Sequence, residues 1–312
     1  MVNLAYVCSR FCRLNHLTRF VMSERIAKVV PVLMYHHVTP AGGSLNCSPK
    51  NFKAQMEYLA NHGYTTLTSK QFARFLNGEP VPDKSVVLTF DDGYLDNYVY
   101  AHPILKKYEL NAHMFLVSSW VHDEEARPAI DGSRAYPFCP THEECKQRLK
   151  NARIDDVIVR WSEVQIMQES KTFEFHSHSH THTRWDKQLN QEGKMAAILN
   201  EMQQSKEAFQ EHLGQVSEHF CWPQGYYEPD YVQIAQEQGF KYLYTTDGNG
   251  FNQSGEQRSH IYRNWVGNLG TLRFAFKLWI TRHPRCAQWY RRLDYRGRRR
   301  KAAKLAEGQA LN

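Results

Sequence analysis

The sequence predicts an α/β protein in which a parallel sheet, covered by helices, rolls into a (β/α) barrel. Three observations carry this reading. Apolar, β-branched runs alternate with amphipathic stretches almost throughout the chain. Several runs end in polar or ionisable residues, namely His36, Asp91, His178 and Asp247. Barrels gather function in that way, at the carboxyl ends of their strands. No glycine-rich turn follows the first run, which disfavours the alternative of an open doubly wound sheet.

The elements follow in order. Residues 29–38 form a buried strand ending in His36 and His37, and 39–43 a loop. Ser48-Pro49 provides an N-cap and a first-turn proline for a helix over 51–62, with Phe52, Met56 and Leu59 inward and Gly63 as its stop. A short strand at 64–67 precedes a helix capped by Thr68 and ending at Leu76. The strand 85–92 leads to a helix at 96–108 and a buried strand at 112–117. Residues 122–157 hold Pro128, Pro137, Pro140 and mixed charge, and read as an insertion with a short helix. A helix at 161–169, a strand at 172–176 and a long helix at 191–213 come next, the last stopped by Gly214. Strands at 219–222 and 242–246 flank a helix at 230–238, and a strand at 261–266 and a helix at 269–280 close the series. No internal repeat stands out.

Length and composition fit this plan. At 312 residues the chain holds one large α/β domain or two small ones, and 42% hydrophobic content supports a sizeable core. The net charge of +7 is concentrated: residues 291–304 contain eight Lys or Arg and one Asp, so the remainder is formally neutral. That pattern argues against a nucleic-acid-binding core and for an electrostatic appendage. The seven cysteines show no disulfide or zinc-finger spacing, which favours a reducing, cytoplasmic setting. The chain divides into an extension at 1–28, a barrel at 29–290 with its insertion at 122–157, and a basic tail at 291–312. The extension is either a basic amphipathic arm or a consequence of translation starting at Met22, and the direct run into the ordered-looking body favours the second.

Two stretches carry chemistry. In Ser85-Val86-Val87-Leu88-Thr89-Phe90-Asp91-Asp92-Gly93 an apolar run leads into adjacent carboxylates and a glycine. Two aspartates at the end of a buried strand need a partner. A metal meets that need, with one carboxylate as ligand and its neighbour free as a base. Phe175-His176-Ser177-His178-Ser179-His180-Thr181-His182 supplies imidazoles, the usual companions of a carboxylate at a divalent metal. The plainer alternatives are an ordinary Asp-Gly turn and a solvated histidine-rich strand. Alternation puts all four histidines on one face of a straight strand. Two pairs four residues apart are therefore open, His178 with His182 and His176 with His180.

Thr89-Phe90-Asp91-Asp92-Gly93 resembles the first motif of the polysaccharide deacetylase family, the NodB-like carbohydrate esterases. The stretch from Glu174 to His182 resembles its second, and Phe220-Cys221-Trp222-Pro223-Gln224-Gly225, more loosely, its third. Pro31-Val32-Leu33-Met34-Tyr35-His36 resembles the opening strand of the branch that includes poly-N-acetylglucosamine deacetylases. The resemblance covers roughly residues 30–268 and implies a distorted (β/α)7 barrel. It implies Asp91 as catalytic base and Asp92, His178 and His182 as metal ligands, since Glu174-x-x-Ser177-His178-Ser179 matches the motif position by position. Zinc comes first for such donors, with cobalt, nickel or iron also suited. The implied reaction is removal of acetyl from an N-acetylated amino sugar, in a surface glycan or its lipid-linked precursor.

Two departures matter. Cys221 stands where the family usually has an arginine that orients the base. The usual Leu-x-His, source of the acid, is missing after Tyr262, where Arg263-Asn264-Trp265-Val266 stands. His260 and His283 match that position poorly, so the general acid is unassigned. His36 is the candidate for a histidine facing the site, the alternative being a core histidine bonded to backbone. Trp222 and Tyr226 are candidates for stacking on a sugar, the alternative being barrel packing. The departures favour a rival function, a non-catalytic carbohydrate-binding protein on the same barrel. In the tail, Leu272, Phe274, Phe276, Leu278, Trp279 and Ile280 precede the basic cluster. They form either an interfacial anchor for an anionic membrane surface on the cytoplasmic side or the barrel's closing helix.

Overall fold

The computed structural model describes residues 26–128, 136–255 and 258–288. The extension before Ile26 and the basic tail after residue 288 lie outside the described residues. Among the described residues, eight strands pair in parallel: β1 (Val32–Tyr35), β2 (Thr65–Thr66), β3 (Ser85–Asp92), β4 (Ala112–Leu116), β5 (Phe173–Ser177), β6 (His219–Cys221), β7 (Tyr242–Tyr244) and β8 (Asn264–Trp265). Seven run in the order β7-β6-β5-β4-β3-β1-β8, and β2 adds to the start of β3. The segment at 261–265 joins the two edges. Ile261 bridges to Tyr244 of β7, and Asn264 and Trp265 pair with Leu33 and Met34 of β1. The sheet thus curls round on itself as a distorted (β/α) barrel, the architecture expected.

Alternation along β3 explains how an acidic site comes to lie inside. Val86, Leu88 and Phe90 pack outward into the cluster shared with the helices. Val87 joins a second cluster inside the barrel, with Val32, Phe115, Cys221, Tyr244 and Ile261. Asp91 has the same parity as Val87 and so faces the interior. Asp92 and Gly93 then both take positive φ, +74° and +80°, and end the strand sharply. A side chain at Gly93 would strike Leu116 Cδ2 at 2.6 Å, so the turn requires glycine in both conformation and space.

The helices follow their caps. Ser48 Oγ accepts from Asn51 N–H and Pro49 opens α1 (Pro49–Asn61), while a Thr68–Gln71 capping box opens α2 (Ser69–Leu76). The expected continuous helix at 96–108 is instead a wide π-type turn at Asn97–Ala101 followed by α3 (His102–Lys107). Pro103 has no N–H to offer the turn before it, which accounts for the break. The insertion carries α4 (His142–Lys150), opened by a Thr141–Glu144 capping box. Arg127 pins the insertion to the body through Glu163 and the Asp155 and Ile158 carbonyls. Next come α5 (Trp161–Glu169), α6 (Gln191–Leu213), α7 (Pro229–Glu237) and α8 (Thr271–Thr281). No helix among the described residues is long and apolar enough to cross a membrane.

Candidate active site

The ends of β3 and β6, the turn after β5 and the residue before β8 bring six side chains together: Asp91, Asp92, Cys221, His178, His182 and Arg263. Asp91 is buried and bound at both oxygens by Arg263, with Nη1 to Oδ1 at 2.6 Å and Nη2 to Oδ2 at 2.8 Å. The guanidinium is itself fully buried. Its remaining N–H groups reach the Thr245 carbonyl at 2.7 Å, Thr89 Oγ1 at 3.3 Å and Cys221 Sγ at 3.0 Å. All five donors of the fork are thereby used. Burial alone would raise the Asp91 pKa, but Arg263 and His36 outweigh it and hold the carboxyl below the ordinary range. For Arg263 burial works downward, yet Asp91 and Cys221 raise its pKa further.

This pair changes the reading of Cys221. The arginine absent from that position is supplied by the last strand segment, and the Cys221 thiol contacts the same guanidinium. Sequence reasoning passed over Arg263, although one signal was legible. It is a lone cation within Ile261-Tyr262-Arg263-Asn264-Trp265-Val266, a strand of otherwise apolar or neutral residues, in a chain whose two strand-end aspartates lacked a cation.

Beside this pair lies the second cluster. Asp92 Oδ1 is 3.4 Å from His178 Nε2 and 3.6 Å from His182 Nε2. Three ligands about 2.1 Å from a tetrahedral centre stand ~3.4 Å apart, close to both distances from Asp92, and the three donor atoms lie within 4.8 Å of one another, so the residues suit a zinc-like ion. His178 Nδ1 donates to the Cys221 carbonyl at 2.8 Å, which leaves Nε2 as the ligating nitrogen. Burial holds the His182 imidazole down at about 4, in the neutral form that can ligate. Burial also opposes the charge on His178, but Cys221, Asp92 and Asp91 outweigh it and raise its pKa well above the usual value. For Asp92 burial is outweighed by His178, His182 and His36, and the carboxyl stays ionised.

The strand turns where the four-residue spacing needs it to. Ser179 and His182 take positive φ, +68° and +62°. Ser179 Oγ accepts from His182 N–H at 3.0 Å. Glu201 of α6, also missed from sequence, is buried and accepts from the backbone of His180 and Thr181 at 2.9 and 2.7 Å. The turn breaks the straight-strand alternation: His178 and His182 meet at Asp92, while His180 bonds Ser118 and His176 bonds Ser217.

His36 stands in the site, with Nε2 3.8 Å from Asp91 Oδ2, Nδ1 without a hydrogen-bond partner, and its ring beside Trp265. Trp222 requires a correction. It is 1% exposed, stacked on Tyr227 and packed on Phe220, so it belongs to the core and presents no face to a sugar. Tyr226 is half-buried, with one ring face covered by the Arg184 guanidinium at 3.8 Å. Two half-buried tryptophans flank the site instead, Trp120 beside His182 and Trp265 beside His36.

Removing Arg263 tests this geometry. Arg263→Met strands a buried carboxylate, and we expect a loss of about 3–5 kcal/mol at about pH 7. The native pair stabilises the fold fully above the ordinary carboxylate pKa, and that contribution fades as pH falls through the depressed folded value. Denaturant unfolding should therefore show a smaller difference between the two proteins at acid pH. Arg263→Lys keeps the charge but loses the fork and should fall between them. An equal loss at all pH values contradicts the ion pair.

Comparison with known proteins bears on the family and the fold. The model of the family described as polysaccharide deacetylase matches residues 78–243, just over half of the chain. The Bacillus subtilis protein YxkH is 43% identical over 99 residues, 31% of this chain and 35% of that one. A poly-β-1,6-N-acetyl-D-glucosamine N-deacetylase of Staphylococcus aureus is 35% identical over 79 residues, 25% of this chain and 27% of that one. The matched segments thus span about a third or less of these relatives. Among solved structures, IcaB from Ammonifex degensii aligns over 80% of this chain and 96% of its own, with a TM-score of 0.62 and 22% identity, a likeness of fold. The chain belongs to the polysaccharide deacetylase family.

Proposed function

We propose that the chain is a metal-dependent N-deacetylase that removes acetyl from an N-acetylated amino sugar in a surface glycan or its lipid-linked precursor. The observation that carries the reading is an ionised Asp91, clamped by Arg263, directly beside the Asp92–His178–His182 donor set. The Staphylococcus aureus relative, whose name specifies poly-β-1,6-N-acetyl-D-glucosamine, supports the substrate class. The rival reading of a non-catalytic sugar-binding barrel drew on the missing arginine and the missing acid; Arg263 answers the first, and the second rests on the role proposed for His36 below.

The residues divide the work of amide hydrolysis. Asp92, His178 and His182 would hold a divalent metal, zinc by preference, which would supply Lewis acidity for the carbonyl and the water. Asp91 takes the proton of the attacking water as an oxygen–carbon bond forms. Two of its lone-pair directions hold Arg263, which leaves others for that proton. Arg263 fixes the carboxylate and keeps it ionised. His36 gives a proton to the nitrogen as the carbon–nitrogen bond breaks, releasing acetate and a free amine. Its pKa is lowered, by burial first and against Asp91 and Asp92, so the imidazole rests neutral, and the proton it delivers is the one that Asp91, 3.8 Å away, takes from the water. Trp120 and Trp265 offer flanking faces for the apolar side of the sugar.

Acetate release from N-acetylglucosamine oligomers, with bound metal counted per chain, tests these roles. Asp91→Asn should keep the wild-type metal content and lose about 100-fold or more in turnover. Asp92→Ala and His178→Ala should each lose one metal equivalent together with activity. Equal metal loss in Asp91→Asn contradicts the division of roles, and full activity in Asp92→Ala contradicts the reaction.

We further propose a peripheral position on the anionic cytoplasmic face of a membrane. α8 buries Phe274 and Leu278 but leaves Leu272 87% and Trp279 45% exposed, so the helix both packs on the barrel and presents an apolar side. The eight basic residues at 291–304 follow it in sequence. At ~1 kcal/mol per basic residue near an anionic leaflet, they suffice to hold a neutral body there. Full-length protein should sediment with phosphatidylserine-containing vesicles at low salt, and protein truncated after Trp289 should not. Full-length protein that ignores such vesicles rules the position out.

A further inference from the structure

Below the Asp91–Arg263 layer the barrel holds a second group of imidazoles that the proposed reaction does not use. His176 precedes His178 by two residues on β5, and His219 precedes Cys221 by two on β6, so both lie one strand repeat deeper. His113 of β4 stands opposite Glu174 of β5. All three histidines are buried. The His176 ring lies 5.0 Å from that of His113 and 5.0 Å from that of His219. One donor atom from each of His113, Glu174 and His176 lies within 4.8 Å of the other two. Phe115 separates this group from the active site, its ring 5.5 Å from the His176 ring and 5.6 Å from the Arg263 guanidinium carbon.

The hydrogen bonding of the group is incomplete in a telling way. His176 Nε2 and His113 Nδ1 are buried without a partner, a state that carries a desolvation penalty. The opposite nitrogens are held: His176 Nδ1 meets Ser217 Oγ at 2.7 Å, and His113 Nε2 meets the Leu67 carbonyl at 3.1 Å. Fixing one ring nitrogen while the other stays open is how ligating histidines are oriented. Glu174 Oε2 accepts from Ser69 N–H at 2.6 Å, which anchors the carboxylate at the start of α2. It also stands 3.8 Å from His113 Nε2, so a metal shared with Glu174 at that nitrogen would displace the Leu67 carbonyl from it. Glu174, His176 and His219 line a cavity at the amino-terminal end of the barrel, which provides an entry path.

We propose that His113, Glu174 and His176 form a second divalent-metal site of the zinc class, with His219 alongside, tying β4 and β5 to α2 at the lower end of the barrel. The ion there stabilises the fold and takes no part in deacetylation, because Phe115 lies between it and Asp91.

The test uses untagged full-length protein carrying His178→Ala and His182→Ala, which disables the upper donor set. After chelator treatment and equilibrium dialysis against Zn²⁺, elemental analysis should find one equivalent per chain. Zn²⁺ should also raise the thermal midpoint of this protein. Adding His176→Asn should abolish both effects. Glu174 is half-exposed, and adding Glu174→Gln leaves the core packed; it should weaken Zn²⁺ binding by about tenfold or more, which keeps the test decisive if His176→Asn fails to fold. The proposal is overturned if the upper-site variant binds no zinc, or if its zinc survives both further substitutions. Because the upper ligands are already removed, neither outcome depends on whether the chain deacetylates sugars.

Discussion

A buried guanidinium bound through both arms to a buried carboxylate is the interaction on which the rest of this site depends. Either charge alone inside the barrel would be strongly destabilising. Together they leave Asp91 ionised, fixed in direction and next to the Asp92–His178–His182 donors. The pair also has a topological effect. Asp91 ends β3 and Arg263 lies on the segment that joins β7 to β8, so the ion pair ties the central strand to the stretch that closes the sheet. Closure of the barrel and ionisation of the base are thus aspects of one contact.

A second constraint is conformational. Both motifs that supply the Asp92–His178–His182 donors leave regular strand geometry there. Asp92 and Gly93 enter the left-handed region in succession, and Ser179 and His182 do so within four residues. Such backbone costs free energy for non-glycine residues and persists only where the surroundings hold it. Here the holders are visible: Ser179 Oγ on His182 N–H, and the buried Glu201 carboxylate on the backbone of His180 and Thr181. Glu201 comes from the middle of α6, so the longest helix of the barrel positions the ligand turn as well as covering the sheet.

Much of this was legible in the sequence, and the exceptions have physical causes. The alternation of strands and helices, the caps at Ser48 and Thr68, and the Asp-Asp-Gly turn are local signals, and the fold follows them. The helix expected at 96–108 is broken because Pro103 has no N–H to offer the turn before it. Arg263, Glu201 and the real environment of Trp222 were not legible, because each depends on a contact between residues distant in sequence. Arg263 and Asp91 are 172 residues apart, and only closure of the barrel joins them. Trp222 follows β6 into a core made by α6 and α7, where its aromatic character serves packing. Four histidines at alternate positions could not by themselves select a pair, since the selecting turn is held by a residue on another element.

Arg263 holds Asp91 from the last strand segment, the task that the family resemblance expects of an arginine where Cys221 stands. Cys221 Sγ lies 3.0 Å from the guanidinium, so the two positions share one space and the cation can be moved between them. The decisive measurement is acetate release by the relocation variant Cys221→Arg with Arg263→Met, compared with Arg263→Met alone, per mole of folded, metal-loaded protein. The account predicts that Arg263→Met loses most of its turnover and that the relocated arginine restores about tenfold or more of that loss. Undiminished turnover in Arg263→Met, or a folded relocation variant no more active than Arg263→Met, would contradict it.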